Sequence, residues 1–186
     1  MPTLYSYVVE HDLGNAPCAK GRWCTLANCK FSRSGKAKNV VESARVGDWI
    51  VGTGGRSAVS SGHGTIIYAM KVVEVVPLEN YYGRMEFKGR ADWRTVSEGD
   101  PGLKRRMALI SYEFVYFGNK AVPIPPQWLQ PGHRLEKRGP RHRIFRGGFV
   151  EEFIAWYSQL KRKGVIGRPC GKNDSECQNA CSKSAG

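Results

Sequence analysis

Short β-rich apolar runs, broken by glycine, proline and charge, set the pattern of this chain. Leu4-Tyr5-Ser6-Tyr7-Val8-Val9 reads as a first strand that ends at His11-Asp12. Residues 12–38 read as a loop with a short helical turn over Thr25–Lys30, and Asn39–Ala44 as another turn. A Gly47-Asp48 turn delivers the strand Trp49-Ile50-Val51-Gly52, and Ser57–Gly64 follows as a flexible glycine and serine loop. Thr65–Val76 is the longest β-rich run and predicts one long strand. Asn80–Gly102 mixes tyrosine, glycine and charge and predicts loop with at most a short helix.

Met107–Phe117 predicts another strand, closed by Gly118-Asn119. The prolines in Ala121–Pro126 limit that segment to an edge or an extended connector. Phe149, Phe153, Trp156 and Leu160 recur at helical spacing, with Glu151 and Glu152 near the start, Lys161–Lys163 near the end and Gly164 as the stop. This aromatic stripe reads as core. The elements add up to a β-dominated α+β fold: about four to six strands in a small curled sheet or barrel, with a C-terminal helix packed on it. Residues 1–167 form the expected domain. Residues 168–186, nearly devoid of apolar side chains besides cysteine, form the expected mobile tail.

Composition agrees with a globular domain: 41% of residues are apolar and 11% aromatic. No run of about 18 apolar residues suggests a membrane span, and the N-terminus lacks the features of a signal peptide. A cytoplasmic location is expected. The net charge of +13, with a pI near 9.7, changes the picture more. It is concentrated in Arg134, Lys137, Arg138, Arg141, Arg143 and Arg146, against the single acid Glu136 in that stretch. Such a loop attracts polyanions, and its pull weakens with salt. Nucleic acid, DNA or RNA, or a nucleotide is the expected partner; an amphipathic face for a membrane is missing.

Candidate chemistry gathers between His11 and Lys30. The cysteines at 18, 24 and 29 are spaced C-x5-C-x4-C, and those at 170, 177 and 181 C-x6-C-x3-C. Neither is the C-x2-C knuckle of structural zinc sites, and the zinc deaminase signature is missing as well. No metal and no cofactor is expected. Cys24 or Cys29 would serve as a thiolate, its pKa lowered by Lys30, or would pack as a small hydrophobe. Asp48 suits a turn that bonds its own backbone. Trp49 is either core or the wall of a base-stacking pocket, with Trp23, Tyr68 and Phe117 as companions. GTGGRSAVSSGHG lacks the phosphate-loop pattern, and Ser57, Ser60 and Ser61 near His63 lack a nucleophile elbow.

Taken in order, YSYVVEHDLGNAP, CTLANCK, ARVGDWIVGTGG, YAMKVVEV, FVYFGNKAVPIP, PGHR and WYSQLKRKGVIGRP resemble the nucleotide modification associated domain 2 family, from about Leu4 to Pro169. The resemblance implies a place in bacterial and phage systems that modify or process bases. The strand–glycine loop–strand arrangement is also similar, more loosely, to small barrels of the PUA, ASCH and EVE type, which implies a base pocket beside a barrel. Two readings follow. In the first, a binding module takes a nucleotide or flipped base at Thr25, Cys29, Lys30, Asp48 and Trp49 while the basic loop holds phosphates. In the second, an enzyme acts on a nucleotide or base with His11, Asp12 and Cys24 as its catalytic groups and Cys29 as an alternative nucleophile or ligand. Both place the His11-Asp12 strand end across a pocket from CTLANCK.

Overall fold

The structure, a computed structural model, describes residues 1–27, 39–93 and 106–171. Its strands are β1 (Leu4–Val9), β2 (Cys18–Lys20), β3 (Trp23–Leu26), β4 (Trp49–Gly54), β5 (Thr65–Lys71), β6 (Glu74–Pro77), β7 (Met107–Ser111), β8 (Phe114–Tyr116), β9 (Val122–Pro123), β10 (His142–Phe145) and β11 (Gly164–Val165). The helices are α1 (Val40–Ser43), α2 (Leu78–Gly83) and α3 (Gly148–Gln159). A seven-stranded mixed sheet runs β10-β1-β4-β5-β8-β11, with β9 also on β5; a four-stranded sheet runs β2-β3-β7-β6. The sheets do not close into a barrel. The fold is the expected β-dominated α+β type with a C-terminal helix.

Layering follows from side-chain alternation. On β1, Tyr5, Tyr7 and Val9 turn toward the core between the sheets, where they meet Cys24, Leu26, Leu109 and Tyr116. Leu4 turns the other way and joins Trp49, Val51 and Ala69 beneath Phe149, Phe153 and Tyr157 of α3. On the outer face of the small sheet, Ala108 and Ile110 pack on Leu78, Tyr81 and Tyr82 of α2. The order of layers is therefore α3, large sheet, small sheet, α2. A strand buried on both faces reads as a nearly continuous apolar run; β4 is buried at every position and β1 at all but Val8, with Ser6 and Thr53 as the buried polar exceptions.

Two runs that read as single strands each divide between the sheets. Thr65–Val76 breaks at Val72-Val73: the Val72 N–H donates to Asp48 O (2.7 Å) in the large sheet and the Val73 N–H to Ile110 O (2.9 Å) in the small one. Met107–Phe117 breaks at Tyr112-Glu113, where Ser111 Oγ both donates to Glu113 O (2.9 Å) and accepts from Glu113 N (3.0 Å). Both halves of each run are apolar, so composition does not mark the switch. A β-bulge at Ile67, between the pairs Gly52–Tyr68 and Thr53–Ile66, sends Ile66 and Tyr68 to opposite faces of the sheet.

Local chemistry explains the turns. Asn39 caps α1 in a capping box: its side chain accepts from Val40 N (2.8 Å), and Glu42 accepts from Asn39 N (2.6 Å). Gly47 turns with φ +91°, a conformation that favours glycine. Thr25 and Leu26 extend β3 rather than the expected helical turn, whose remaining residues lie outside those described. The Asn80–Gly102 region begins within α2 and continues into a 3-10 turn at Met85–Phe87. Beyond Gly167 the chain stays attached: Asn119 N donates to Arg168 O (2.8 Å) and Gly171 N to Asp12 O (3.0 Å). The remainder of the expected tail lies outside the described residues.

Candidate functional site

The end of β1 carries the chain out of the large sheet beside two loops, one after β4 and one before β10. Together they enclose a cleft of about 570 Å³ lined by Val8, Glu10, Arg56, His63, Arg138, Gly139 and Pro140. That size lies within the roughly 300–1,000 Å³ typical of small-molecule clefts.

The wall formed by residues 55–64 is not the flexible loop its composition suggests. Glu10 Oε1 accepts from Arg56 N (3.1 Å) and Ser57 N (3.2 Å). Ser60 Oγ accepts from Gly55 N (2.8 Å) and donates to Val9 O (2.7 Å), while Asp12 N donates to Val59 O (2.9 Å). Glycine is needed here because the chain passes so close to itself. A Cβ on Gly54 would stand 1.8 Å from Gly62 O, and one on Gly55 would stand 2.0 Å from Glu10 Oε2.

The facing wall is the basic segment, and its one acid organises it. Glu136 is 2% exposed. Its Oε1 accepts from Gly64 N (2.9 Å) and lies 3.2 Å from His63 Nδ1; its Oε2 lies 3.1 Å from Arg134 and 3.2 Å from Arg138 Nε. Burial alone would push this carboxyl up, but the Gly64 N–H, Arg138 and His63 outweigh it and hold the pKa below the ordinary carboxylate value. Glu136 thus ties the basic segment to the glycine and serine loop. Ser6 Oγ donates to Leu135 O, which anchors the same segment to β1. Arg138, Arg141, Arg143 and Arg146 remain exposed, while Lys137 and Arg134 are half-buried. Arg141 has a left-handed backbone (φ 70°), uncommon for a residue with a side chain.

The residues expected to form a base pocket are dispersed instead. Alternation along β3 sends Cys24 and Thr25 to opposite faces, so no single pocket holds both. Cys24 is 0% exposed in the core between the sheets, and burial pushes its thiol well up, the reverse of an activated nucleophile. Thr25 donates to Asp92 in a buried network on the α2 side, where Tyr81 also donates to Asp92 (2.8 Å) and Arg90 donates to Cys18 O (2.6 Å).

Asp12 turns inward, where its two oxygens accept from the Tyr116 hydroxyl at 2.7 and 2.8 Å. Burial raises its pKa against the pull of Tyr116 and the Cys170 N–H. His11 is exposed beside it. Asp48 is structural: it accepts from Thr3 N (2.8 Å) and Arg45 N (2.8 Å) and so joins the starts of β1 and β4. Trp49, 2% exposed, packs edge-on against Tyr157 (4.6 Å) and Phe153 (5.8 Å), which covers it against any base. Cys29 and Lys30 lie outside the described residues.

Sequence reasoning missed Glu10 and Arg56, and it weighed His63 only as a partner for serine. The available signal was Glu136, a lone acid inside an arginine run, which marks an internal anchor. Among the described residues, no group of three or more His, Cys, Asp or Glu side chains is placed to hold a metal ion. No described helix is long and apolar enough to cross a membrane.

Comparison with known proteins adds one finding. No curated protein and no solved structure matches the chain. Residues 1–100 match the family model described as nucleotide modification associated domain 2. The matched span includes Glu10, Arg56 and His63; the basic segment and α3 follow it in the chain. With more than half of its length matched, the chain belongs to the nucleotide modification associated domain 2 family.

Proposed function

We propose that the cleft binds a nucleotide, either free or as an exposed unit of a nucleic acid, within a base-modification or phage-defence system. The observation that carries this reading is the basic segment folded as one wall of the cleft. Arg138 lines it, and Arg141, Arg143 and Arg146 remain exposed on the same segment. Phosphate contacts supply affinity and orientation, and the cleft between the loops supplies selection. A cleft of this size accepts one nucleotide rather than a duplex, so a base within a nucleic acid enters only from a single strand or after flipping.

The test is a fluorescence polarisation titration with labelled single-stranded and duplex oligonucleotides at about 50 and 200 mM salt. With four phosphate contacts on a single strand, affinity falls about 50-fold over that range. Charge reversal at Arg141 and Arg143 lowers affinity across all sequences and flattens the salt dependence. Affinity indifferent to both salt and charge reversal overturns the proposal.

A further inference from the structure

Resting on the nucleotide reading above, we infer that the cleft selects a base bearing an exocyclic amino group, which it reads through Glu10 Oε2. Glu10 lines the cleft, whereas Glu136 is buried behind its basic wall, and the situations of the two carboxylates differ. Both oxygens of Glu136 are engaged, Oε1 by Gly64 and His63 and Oε2 by Arg134 and Arg138. Glu10 lines the cleft with its Oε1 pinned by the N–H groups of Arg56 and Ser57. Its Oε2 accepts no hydrogen bond from the described residues and lies over Gly55, where any side chain would displace it.

This places an oriented acceptor, held at its other oxygen, in a cleft whose remaining charged groups are cationic. A phosphate is repelled by Glu10 and drawn to Arg138 and the exposed arginines after it, so a bound nucleotide is polarised. Its phosphate points to the basic segment and its base to the end of β1. Val8 and Pro140 supply apolar surface for the ring between them. A carboxylate oxygen only accepts hydrogen bonds. It pairs with the amino group of cytosine or adenine and meets the lone pairs of an oxo group at the same position with repulsion. A charge-assisted hydrogen bond of this kind separates the two by about 10- to 100-fold in affinity.

Two nearly isosteric pairs test this on the full-length protein by calorimetric titration: CMP against UMP, and AMP against IMP. The amino member of each pair is expected to bind at least about 10-fold more tightly. In Glu10→Gln the amide oxygen keeps the Arg56 and Ser57 N–H groups, while the other arm becomes a donor. The preference should then cancel or reverse toward UMP and IMP, with an unchanged melting temperature. Equal binding within both pairs by the wild-type protein overturns the inference whatever the variant does, and it leaves nucleotide binding standing. A loss of equal size for both members of each pair in Glu10→Gln also overturns it. If no nucleotide or oligonucleotide binds, the reading beneath it falls as well.

Discussion

Removing the Glu136 carboxylate tests whether the basic wall of the cleft is held from inside. In Glu136→Ala the Gly64 N–H loses its acceptor in a part-buried position, which costs about 1–3 kcal/mol. Arg134 and Arg138 lose their partner too, but their side chains are 40% and 58% exposed, so each contributes only about 0–1 kcal/mol. The expected loss is about 2–4 kcal/mol. At about 2–4 °C per kcal/mol for a chain of this size, the melting temperature falls by about 6–12 °C in the middle of that range.

Glu136→Gln keeps an acceptor for Gly64 and should lose no more than about half as much. The two variants also differ in salt. Molar NaCl screens the ionic part, so it narrows the gap between wild type and Gln while most of the Ala deficit remains. Because the folded pKa of Glu136 is depressed, its contribution is present above the ordinary carboxylate pKa of about 4.3. It is lost as pH falls through the lower folded value. The wild-type advantage over Gln therefore shrinks below about pH 4. Differential scanning calorimetry across pH and salt reads all of this. An Ala variant melting within about 1 °C of wild type would refute the internal-anchor argument.

Three further outcomes follow from the same geometry. The buried Asp12 has a raised pKa, so the folded state holds its proton more tightly and stability falls as pH climbs from the ordinary value toward the folded one. Asp12→Asn removes that slope in urea unfolding; parallel pH profiles for the two proteins would count against it. Cys18 and Cys24, at 2% and 0% exposure with thiols pushed up by burial, should resist alkylation until the protein unfolds. Peptide mass spectrometry checks this, and rapid native labelling of Cys24 would restore the nucleophile reading. Gly54→Ala forces a Cβ to 1.8 Å from Gly62 O, an overpacking that costs about 1–3 kcal/mol or more. Its denaturation midpoint should drop measurably, and an unchanged midpoint would mean that the loop yields freely.

Several features are legible in the amino-acid sequence because they depend on residues close together along the chain. Of the stripe Phe149, Phe153, Trp156 and Leu160, the first two are buried on one face of α3 and the last two are half-buried against the same core, while Tyr157 completes the buried face. Asn39 and Glu42 form a cap from residues three apart, and Gly47 with Asp48 makes the turn it suggests. The motif order points to the right family. The basic segment, too, is plain from charge alone.

The site is less legible, because its residues come from three separate parts of the chain. Glu10, Arg56, His63 and Arg138 have no spacing that links them; β1, the loop after β4 and the loop before β10 meet only once the sheet forms. The expected pocket fails for a related reason. Residues dense in one stretch, such as Asp12, Cys24 and Thr25, look like a cluster in sequence. Strand alternation then turns Thr25 to the α2 side, away from Cys24 and from Asp12, which both reach the core between the sheets.

The amino-acid sequence by itself determined the strand-rich composition, the terminal helix, the family and the basic segment, all of which rest on local periodicity, local charge or motif order. Only the tertiary structure decided where the apolar runs divide, that Trp49 and Cys24 are core, and that Glu136 is buried among cations. Those outcomes depend on which surfaces meet across the sheets, and contacts between distant segments leave no local pattern to read.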